Sequence, residues 1–269
     1  MLNSIIISLH NHTSLSGDDY LRKETPERYI KEAFKQGVNI LALTDTNTDI
    51  AFEELKKSAI YKFHDLEHGV AIIENKNKES LYLIKGQEFH ENQKHIILLG
   101  YSGNINFTPN YDLKEVINKT HDFGGIVSLA HPFCHLLGGA GIKISSELSN
   151  HVDAYELDPQ STTLLKIYNT TLQEWTEEKN LPLISTADAH RAKDLKMGYF
   201  TLNPTLIDFK DGENLINSLK NSIKSNQQTN ILNYNLFATI DWLILKRLTS
   251  GNPAKHIIDL AKAALPRFQ

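Results

Sequence analysis

Residues 5–12 read IIISLHNH, an isoleucine-rich run that ends in two histidines. An uncharged run of this kind is typical of a strand that is buried on both faces. Residues i and i+2 of a strand point to the same side, so we expect His10 and His12 to face one space. A buried strand that ends in a pair of histidines is the pattern from which the architecture can be worked out.

The same pattern recurs at other apolar runs along the chain. Runs at 38–43, 81–84, 126–130 and 183–187 lead, in that order, to Asp45, to Glu88, to His131, and to Asp188 and His190. His95 begins a run instead, as expected for the return strand of a hairpin that carries Glu88. Helical patterns separate several of the runs, and the one at 27–36 starts after a Thr-Pro pair and stops at Gly37.

The alternation of strands and helices predicts an α/β protein with parallel strands and helices outside them. Roughly seven such strands favour a barrel over an open sheet. We place the barrel at residues 1–205. Residues 206–269 are expected to form a C-terminal helical extension packed on the barrel, because a helical pattern begins after Asp211 and two more follow it.

Composition narrows the classes of function. The chain has 269 residues, with 28 Lys and Arg against 32 Asp and Glu, and 41% of its residues are hydrophobic. These values exclude a disordered chain, and the mild acidity argues against general nucleic-acid binding, which requires a basic face. A single cysteine excludes an intrachain disulfide. Neither a signal peptide nor a membrane span is predicted, so we expect a cytoplasmic protein.

The recurring histidines and carboxylates predict a metal centre. Parallel strands of a barrel place their carboxyl ends on one face, so the side chains that follow these runs should converge. Imidazole nitrogens and carboxylate oxygens suit Zn²⁺, Mn²⁺ or Fe. Each residue also has an ordinary explanation, such as an ion pair of Glu88 with Lys85 or a helix-capping role for Asp188. Their common place in the topology favours the metal centre.

Six segments together resemble the motifs of the PHP (polymerase and histidinol phosphatase) family of metal-dependent phosphoesterases. In chain order they are SLHNHT at 8–13, LTDTNT at 43–48, GQE at 86–88 with HIILLGY at 95–101, SLAHP at 128–132, YE at 155–156 and TADAHR at 186–191. The corresponding family motifs are D-L-H-x-H-T, L-T-D-H-D/N-T, G-x-E with H-x-L-G-Y, A-H-P, x-E and S-D-A-H. The set is specific because the order is kept, although each motif alone is weak.

The resemblance implies a distorted (β/α)7 TIM-like barrel that holds two or three divalent metal ions. It also implies which residues bind each ion. The implied ligands are His10, His12, Glu88 and Asp188 for the first ion, Glu88 again with His95 and His131 for the second, and His190 for a third.

Two positions depart from the family motifs. Thr46 stands where the second motif has a histidine, and Ser8 stands where the first has an aspartate. A threonine hydroxyl is a poor ligand for these metals. The third site would keep His190, with Asp18 as a candidate ligand. We therefore expect a dinuclear centre. The third site could hold a weaker third ion, a water or a substrate group, and the sequence leaves these alternatives open.

The chemistry of such a centre implies a reaction. A hydroxide shared by two cations, available because metals lower the pKa of water to about 7, would attack phosphorus in line. Asp45 or Asp188 would orient this nucleophile or carry its proton. Arg191 is a candidate for a bidentate contact to phosphate, and the alternative for it is a surface ion pair with Asp194.

The favoured function is hydrolysis of a small phosphomonoester, such as a nucleotide, a sugar phosphate or a histidinol-type phosphate. A small phosphorylated metabolite is then the expected partner, whereas a membrane and nucleic acid are not. A regulatory metal-binding barrel without full activity is one alternative, suggested by Thr46 and Ser8. An amidohydrolase-type barrel that acts on C–N bonds is another, but such barrels usually carry a carboxylated lysine, which these motifs do not contain.

Overall fold

The computed structural model describes residues 3–16, 24–91, 94–103, 105, 112–133, 139–157 and 166–233. These residues form a mixed α/β architecture. The strands are β1 (Ile5–Ser8), β2 (Ile40–Leu43), β3 (Lys62–Asp65), β4 (Val70–Glu74), β5 (Ser80–Glu91), β6 (Lys94–Leu99), β7 (Ile126–Leu129), β8 (Ala154–Leu157), β9 (Leu183–Ser185), β10 (Gly198–Leu202) and β11 (Thr229–Leu232). The α-helices are α1 (Pro26–Gln36), α2 (Ile50–Lys56), α3 (Leu113–Asp122), α4 (Gly141–Glu147), α5 (Lys166–Glu178) and α6 (Gly212–Lys224).

The strands form one sheet that curls into a nearly closed barrel. Its order is β11-β10-β1-β2-β5-β6-β7-β8-β9, and β3 and β4 form a hairpin against the first half of β5. β1, β2 and β5 are parallel, as are β7, β8 and β9, whereas β6 is antiparallel to both of its neighbours. The predicted α/β barrel is confirmed, and the antiparallel strand β6 is one source of its distortion.

Two contacts join β9, the last strand in the sheet order, or the segment after it, to strands at the other side of the sheet. The backbone N–H of His12, just after β1, donates to the carbonyl of Ala189, just after β9 (2.9 Å). The Asn230 side chain of β11 accepts a hydrogen bond from the Ser185 N–H and donates one to the Leu183 carbonyl, both at 2.7 Å. The Asn230 side-chain amide therefore joins β11 to β9 through hydrogen bonds to the β9 backbone, in place of backbone hydrogen bonds between paired strands.

Helix α1 shows how the sequence sets an element's ends and its buried face. Pro26 occupies the first turn, where a missing N–H costs nothing. Gly37 ends the helix with φ 69°, a left-handed conformation that glycine adopts without a Cβ penalty. Tyr29, Ile30 and Ala33 are fully buried, as expected for residues three and four apart on one helix face.

Helix α6 closes one end of the barrel. Leu215, Leu219 and Ile223 of α6 belong to the same buried cluster as the interior side chains of β1. Gly100, at the end of β6, lets the helix approach, because a Cβ there would lie 2.1 Å from the Ile216 Cδ1 atom. β6 is antiparallel, so this is the end at which the parallel strands begin. The opposite end is left for the candidate site.

Some elements differ from the sequence-based expectation. The sequence patterns predict neither β10 nor β11, and β11 begins inside the polar stretch that ends at Asn230. The apolar stripe of Ile50, Phe52, Leu55 and Ile60 predicts a helix over 48–60, whereas α2 ends at Lys56. The extension contributes α6, as predicted, and also β11, which joins the sheet. Residues 234–269, with two further predicted helices, lie outside the described residues, so the division at residue 205 stays a prediction.

Membrane insertion through a helix was not expected from the sequence. Within the described part of the chain, no helix has both the length and the apolar character needed to cross a bilayer.

Candidate metal centre

The side chains predicted as ligands gather where the parallel strands end. His10 and His12 lie just beyond β1, Glu88 lies inside β5, His95 lies near the start of β6, His131 lies beyond β7, and Asp188 and His190 lie beyond β9. All of these except His190 fall into two groups, and within each group the ligand atoms lie within 4.8 Å of one another. The structure thus brings together residues that are far apart in sequence.

The first group consists of His10, His12 and Asp188, which are all buried. The Nε2 atoms of the two histidines face each other at 3.0 Å. Asp188 Oδ1 lies 3.4 Å from His10 Nε2 and 3.1 Å from His12 Nε2. It also lies 3.4 Å from Nε2 of His190, whose ring stacks on that of His12. One carboxylate oxygen is therefore approached by three imidazoles.

The second group is centred on Glu88, whose side chain is buried. Its Oε1 atom lies 3.1 Å from His95 Nδ1 and 3.5 Å from His131 Nε2. The same carboxylate also reaches the first group, with Oε1 at 3.6 Å from His10 Nε2 and Oε2 at 3.4 Å from His12 Nε2. Glu88 is thus the side chain that joins the two groups.

These separations fit ligands that share an ion. Atoms about 2.1 Å from a metal lie about 3.4 Å apart in tetrahedral coordination and about 3.0 Å apart in octahedral coordination. The separations of 3.0–3.6 Å between the facing nitrogens and oxygens cover this range. His95 Nδ1 is also buried and has no hydrogen-bond partner, as expected for a nitrogen whose lone pair is available to a metal ion.

Partners outside the cluster set the tautomers of the first two histidines. His10 Nδ1 lies 2.8 Å from Glu156 Oε2, and His12 Nδ1 lies 3.3 Å from Ser16 Oγ. A carboxylate only accepts, and Ser16 already donates its proton to Thr46 Oγ1 (2.9 Å). Both Nδ1 atoms therefore donate, which leaves a lone pair on each Nε2 for a metal.

The electrostatics of the cluster favour bound positive charge. Burial lowers the pKa of His12, but Asp188 and Glu88 outweigh it and raise this pKa to about 9. Burial raises the pKa of Glu88, yet the surrounding histidines hold it well below its usual range, and the same balance applies to Asp188. Burial also lowers the pKa of His95 to about 4, so this imidazole is neutral and available as a ligand near pH 7.

Two of the candidate ligands have an uncommon backbone conformation. His131 has φ 29° and Asp188 has φ 41°. Residues other than glycine rarely adopt positive φ, and such conformations cost on the order of 1–3 kcal/mol. They persist where the surrounding structure enforces them, and they cluster at functional sites. The strain at both positions is consistent with a backbone held to aim these side chains.

Asp45 and Arg191 are bound to neighbours, whereas Asp18 lies outside the described residues. The buried Asp45 carboxylate accepts hydrogen bonds from the Thr13 N–H (2.5 Å) and from its hydroxyl (2.7 Å). Arg191 Nε donates to Asp194 Oδ2 at 2.6 Å. The ion pair considered as the alternative for Arg191 is present, and its contact to phosphate stays a prediction, as does the catalytic role of Asp45.

The two positions that depart from the family motifs have structural partners. Thr46 donates its N–H to Ser16 Oγ at 2.8 Å, and its hydroxyl accepts the Ser16 proton. It therefore supports the residue that holds His12. Ser8 donates to the Leu195 carbonyl at 3.2 Å and so ties the end of β1 to the segment after β9.

Sequence reasoning missed two residues of this region. His90 Nε2 lies 2.5 Å from Glu88 Oε2, and Glu156 holds the ring of His10. His90 follows Glu88 by two positions on β5, so the spacing that singled out His10 and His12 would have found it. Glu156 belongs to the YE segment, but nothing in that segment indicates which histidine it contacts.

Comparisons with known proteins define the architecture. No protein-family model matches the sequence, and no curated protein is similar to it in sequence. A two-domain protein from Bacteroides vulgatus, described as containing a predicted PHP-like metal-dependent phosphoesterase, is similar in structure, with a TM-score of 0.62 at 14% identity over 86% of this chain. The chain spans 65% of that protein's length.

Two further solved structures have the same fold. PsfC from Pseudomonas syringae has a TM-score of 0.61 at 13% identity, over 93% of this chain and 99% of its own. The lesion-specific endonuclease PfuEndoQ from Pyrococcus furiosus has a TM-score of 0.57 at 16% identity, over 85% of this chain and 58% of its own. Similarity at this level of identity shows the fold alone, which this chain shares with these three proteins.

Proposed function

We propose that this chain is a metal-dependent hydrolase of phosphoesters with a dinuclear centre. The observation that carries the proposal is the position of Glu88, whose two carboxylate oxygens face both groups of imidazoles at 3.1–3.6 Å. A buried carboxylate between two ligand groups is the arrangement by which a protein holds two ions a few Å apart.

The residues assigned to each ion follow from the distances. His10, His12 and Asp188 would hold one ion, His95 and His131 the other, and Glu88 would be shared. His190, whose Nε2 atom lies 3.4 Å from Asp188 Oδ1, would bind a third and weaker ion. Nitrogen and oxygen donors of this kind suit Zn²⁺, Mn²⁺ or Fe. When bound, such ions lower the pKa of water and neutralise charge on phosphoryl oxygens.

The chain's own residues would orient the reactants. Asp188 belongs to the first group, where its carboxylate would accept a proton from an attacking water or hold that water in line. Asp45, fixed by Thr13, would hold the loop after β2 against the first motif. Arg191 would contact a phosphate oxygen after release from Asp194, with its guanidinium giving two parallel hydrogen bonds.

A small phosphomonoester is the favoured substrate, and a nucleic-acid phosphodiester is the second candidate. The mild acidity of the chain favours a small substrate, since strand binding requires a basic surface. The structural similarity to PfuEndoQ supports the second candidate, so the expectation that excluded nucleic acid as a partner is not supported. A cytoplasmic location stays a prediction.

A substrate panel after metal reconstitution tests the proposal. The protein would be loaded with Mn²⁺ or Zn²⁺ and given p-nitrophenyl phosphate, nucleotide and sugar monophosphates, bis-p-nitrophenyl phosphate and a duplex with an abasic site. We expect turnover of monoesters that is lost in Glu88→Gln and kept in His64→Ala, a control on the exposed face of β3. Cleavage of the duplex alone would favour the second candidate, and bound metal without any turnover would favour a regulatory barrel.

A further inference from the structure

His90 contacts the carboxylate on which the proposed centre depends. It follows Glu88 by two positions on β5, so both side chains point to the same side of the strand. Its Nε2 atom lies 2.5 Å from Glu88 Oε2. None of the motifs that indicated the metal ligands includes this position, and it belongs to neither of the two ligand groups.

The distance between His90 Nε2 and Glu88 Oε2 indicates a hydrogen bond and not two ligands of one ion. Ligand atoms that share one ion lie about 3.0–3.4 Å apart, and the pairs within the two groups fall near these values. At 2.5 Å, His90 Nε2 and Glu88 Oε2 are too close for an ion to bind both without moving them apart. The separation fits a charge-assisted hydrogen bond, in which the imidazole donates and the carboxylate accepts.

The His90 ring is held in the orientation that this bond requires. It stacks on His95, its partner across the β5–β6 pair, with ring centroids 3.6 Å apart and planes within 8°. Its backbone N–H donates to Asn47 Oδ1 at 2.9 Å, and the Asn47 N–H donates to the Glu88 carbonyl at 2.8 Å. The loop after β2 and the strand β6 thus fix both the backbone and the ring of His90.

We propose that His90 is a positioning residue that orients the Glu88 carboxylate between the two ions. Its N–H takes up one lone pair of Oε2, which leaves the other directed toward His12 and leaves Oε1 directed toward His95 and His131. This inference rests on the proposed dinuclear centre and adds to it a residue that acts through Glu88. Residues that hold a metal ligand in this way typically change metal affinity about 10–100-fold when they are removed.

Three variants separate the hydrogen bond from the stacking. His90→Gln keeps an N–H near the position of Nε2, His90→Phe keeps the flat ring on His95 without a donor, and His90→Ala removes both. Zn²⁺ affinity and stoichiometry would be measured by competition with a chromogenic chelator, with His64→Ala as a control. The thermal midpoint of each metal-free variant shows whether it folds like the parent.

The hydrogen bond predicts a specific order of affinities. We expect His90→Ala and His90→Phe to bind Zn²⁺ about 10–100-fold more weakly at unchanged stoichiometry, and His90→Gln to recover most of the affinity. Unchanged affinity in all three variants would overturn the inference while leaving the dinuclear centre intact. Loss of one whole ion in all three, including His90→Gln, would show that His90 is a ligand and overturn it as well. A parent protein that binds no metal would overturn the proposed function itself.

Discussion

The barrel holds one buried charged cluster at each end, and the two are built differently. At the end where the parallel strands begin, Asp153 lies just before β8 and is fully buried. Its carboxylate accepts a hydrogen bond from the Val127 N–H at 2.9 Å and lies 2.8 Å from both His121 Nε2 and Lys224 Nζ. Lys220 Nζ is a further 3.4 Å contact. This carboxylate is neutralised by cations of the chain itself.

In the cluster at the other end, the contacts described above for Glu88 and Asp188 are with histidine side chains. Those carboxylates face imidazoles, which are neutral when they bind metal. The comparison shows what distinguishes a structural ion cluster from a site. Asp153 pairs with lysines and ties α6 to the barrel, whereas Glu88 and Asp188 face imidazoles, whose nitrogens can also bind a metal ion.

Removing Glu88 should have the largest effect. Glu88→Ala takes away the side chain shared by both groups, so we expect both ions to be lost. Metals contribute several kcal/mol to such reactions, and about 4 kcal/mol corresponds to a rate loss of about 1,000-fold. Metal analysis and initial rates on the same sample check this. Retention of both ions by the variant would contradict the bridging role.

Removing the charge of Asp153 should change stability instead. In Asp153→Asn we expect the free energy of unfolding to fall by about 2–3 kcal/mol, since Lys224 and Lys220 lose a buried partner. Metal content should not change. Chemical denaturation measures the loss, and Asp122→Asn, on the exposed face of α3, is the matched control.

The stability contributed by Asp153 should also depend on pH. Burial raises its pKa, but His121 and the lysines outweigh this and lower it from 3.8 to about 2. A carboxyl group whose pKa is lower in the folded than in the unfolded state stabilises the protein at pH values above the unfolded pKa. This contribution, about 2 kcal/mol, is lost as the pH falls from about 4 to about 2. The difference between parent and Asp153→Asn should therefore shrink over that range. If the difference in free energy of unfolding stayed constant over this pH range, the charge of Asp153 would not be the source of its stabilising effect.

A smaller effect is expected at Thr46, because it acts on the metal centre through Ser16. Thr46→His removes the acceptor of the Ser16 proton and so loosens the ring of His12. We expect Zn²⁺ affinity to fall about tenfold with no gain in stoichiometry, while Thr46→Ser stays close to the parent. A rise from two toward three ions per chain would instead identify Thr46 as the position of a lost ligand.

Arg191 should give the smallest effect. Arg191→Ala is expected to raise KM for a phosphomonoester about 5–10-fold, because the two hydrogen bonds to phosphate form only after the ion pair with Asp194 is broken, and metal content should not change. Steady-state kinetics at saturating metal measure it. If KM and kcat both equal the parent values, Arg191 serves only its ion pair with Asp194.

The sequence predicted the clustering of histidines and carboxylates better than it predicted the closure of the barrel. His10, His12, Asp188 and His190 could be found because each pair has strand spacing and directly follows an apolar run. β11 could not, because its polar residues match a loop, and its role depends on Asn230 contacts to β9, which is distant in sequence. Long-range contacts of this kind leave no local periodicity.

The same reasoning explains the polar residues that were missed. Asp153 has no motif, and its partners on α3 and α6 become neighbours only when the barrel closes. His90 was available from spacing alone, since it stands two residues after Glu88. Whether His90 is a metal ligand or a hydrogen-bond donor, by contrast, is decided by a difference of less than 1 Å between contact distances, and only coordinates provide such distances.

Metal content of the purified chain tests the central claim most directly. After reconstitution with Zn²⁺ or Mn²⁺ and removal of free ions, elemental analysis should find about two ions per chain, held by residues whose ligand atoms lie within 4.8 Å of one another in each group. The parallel sample of Asp153→Asn should give the same value. Fewer than one ion per chain in the parent would contradict the account, because the carboxylates of Glu88 and Asp188 would then be balanced by protons on the histidines rather than by metals.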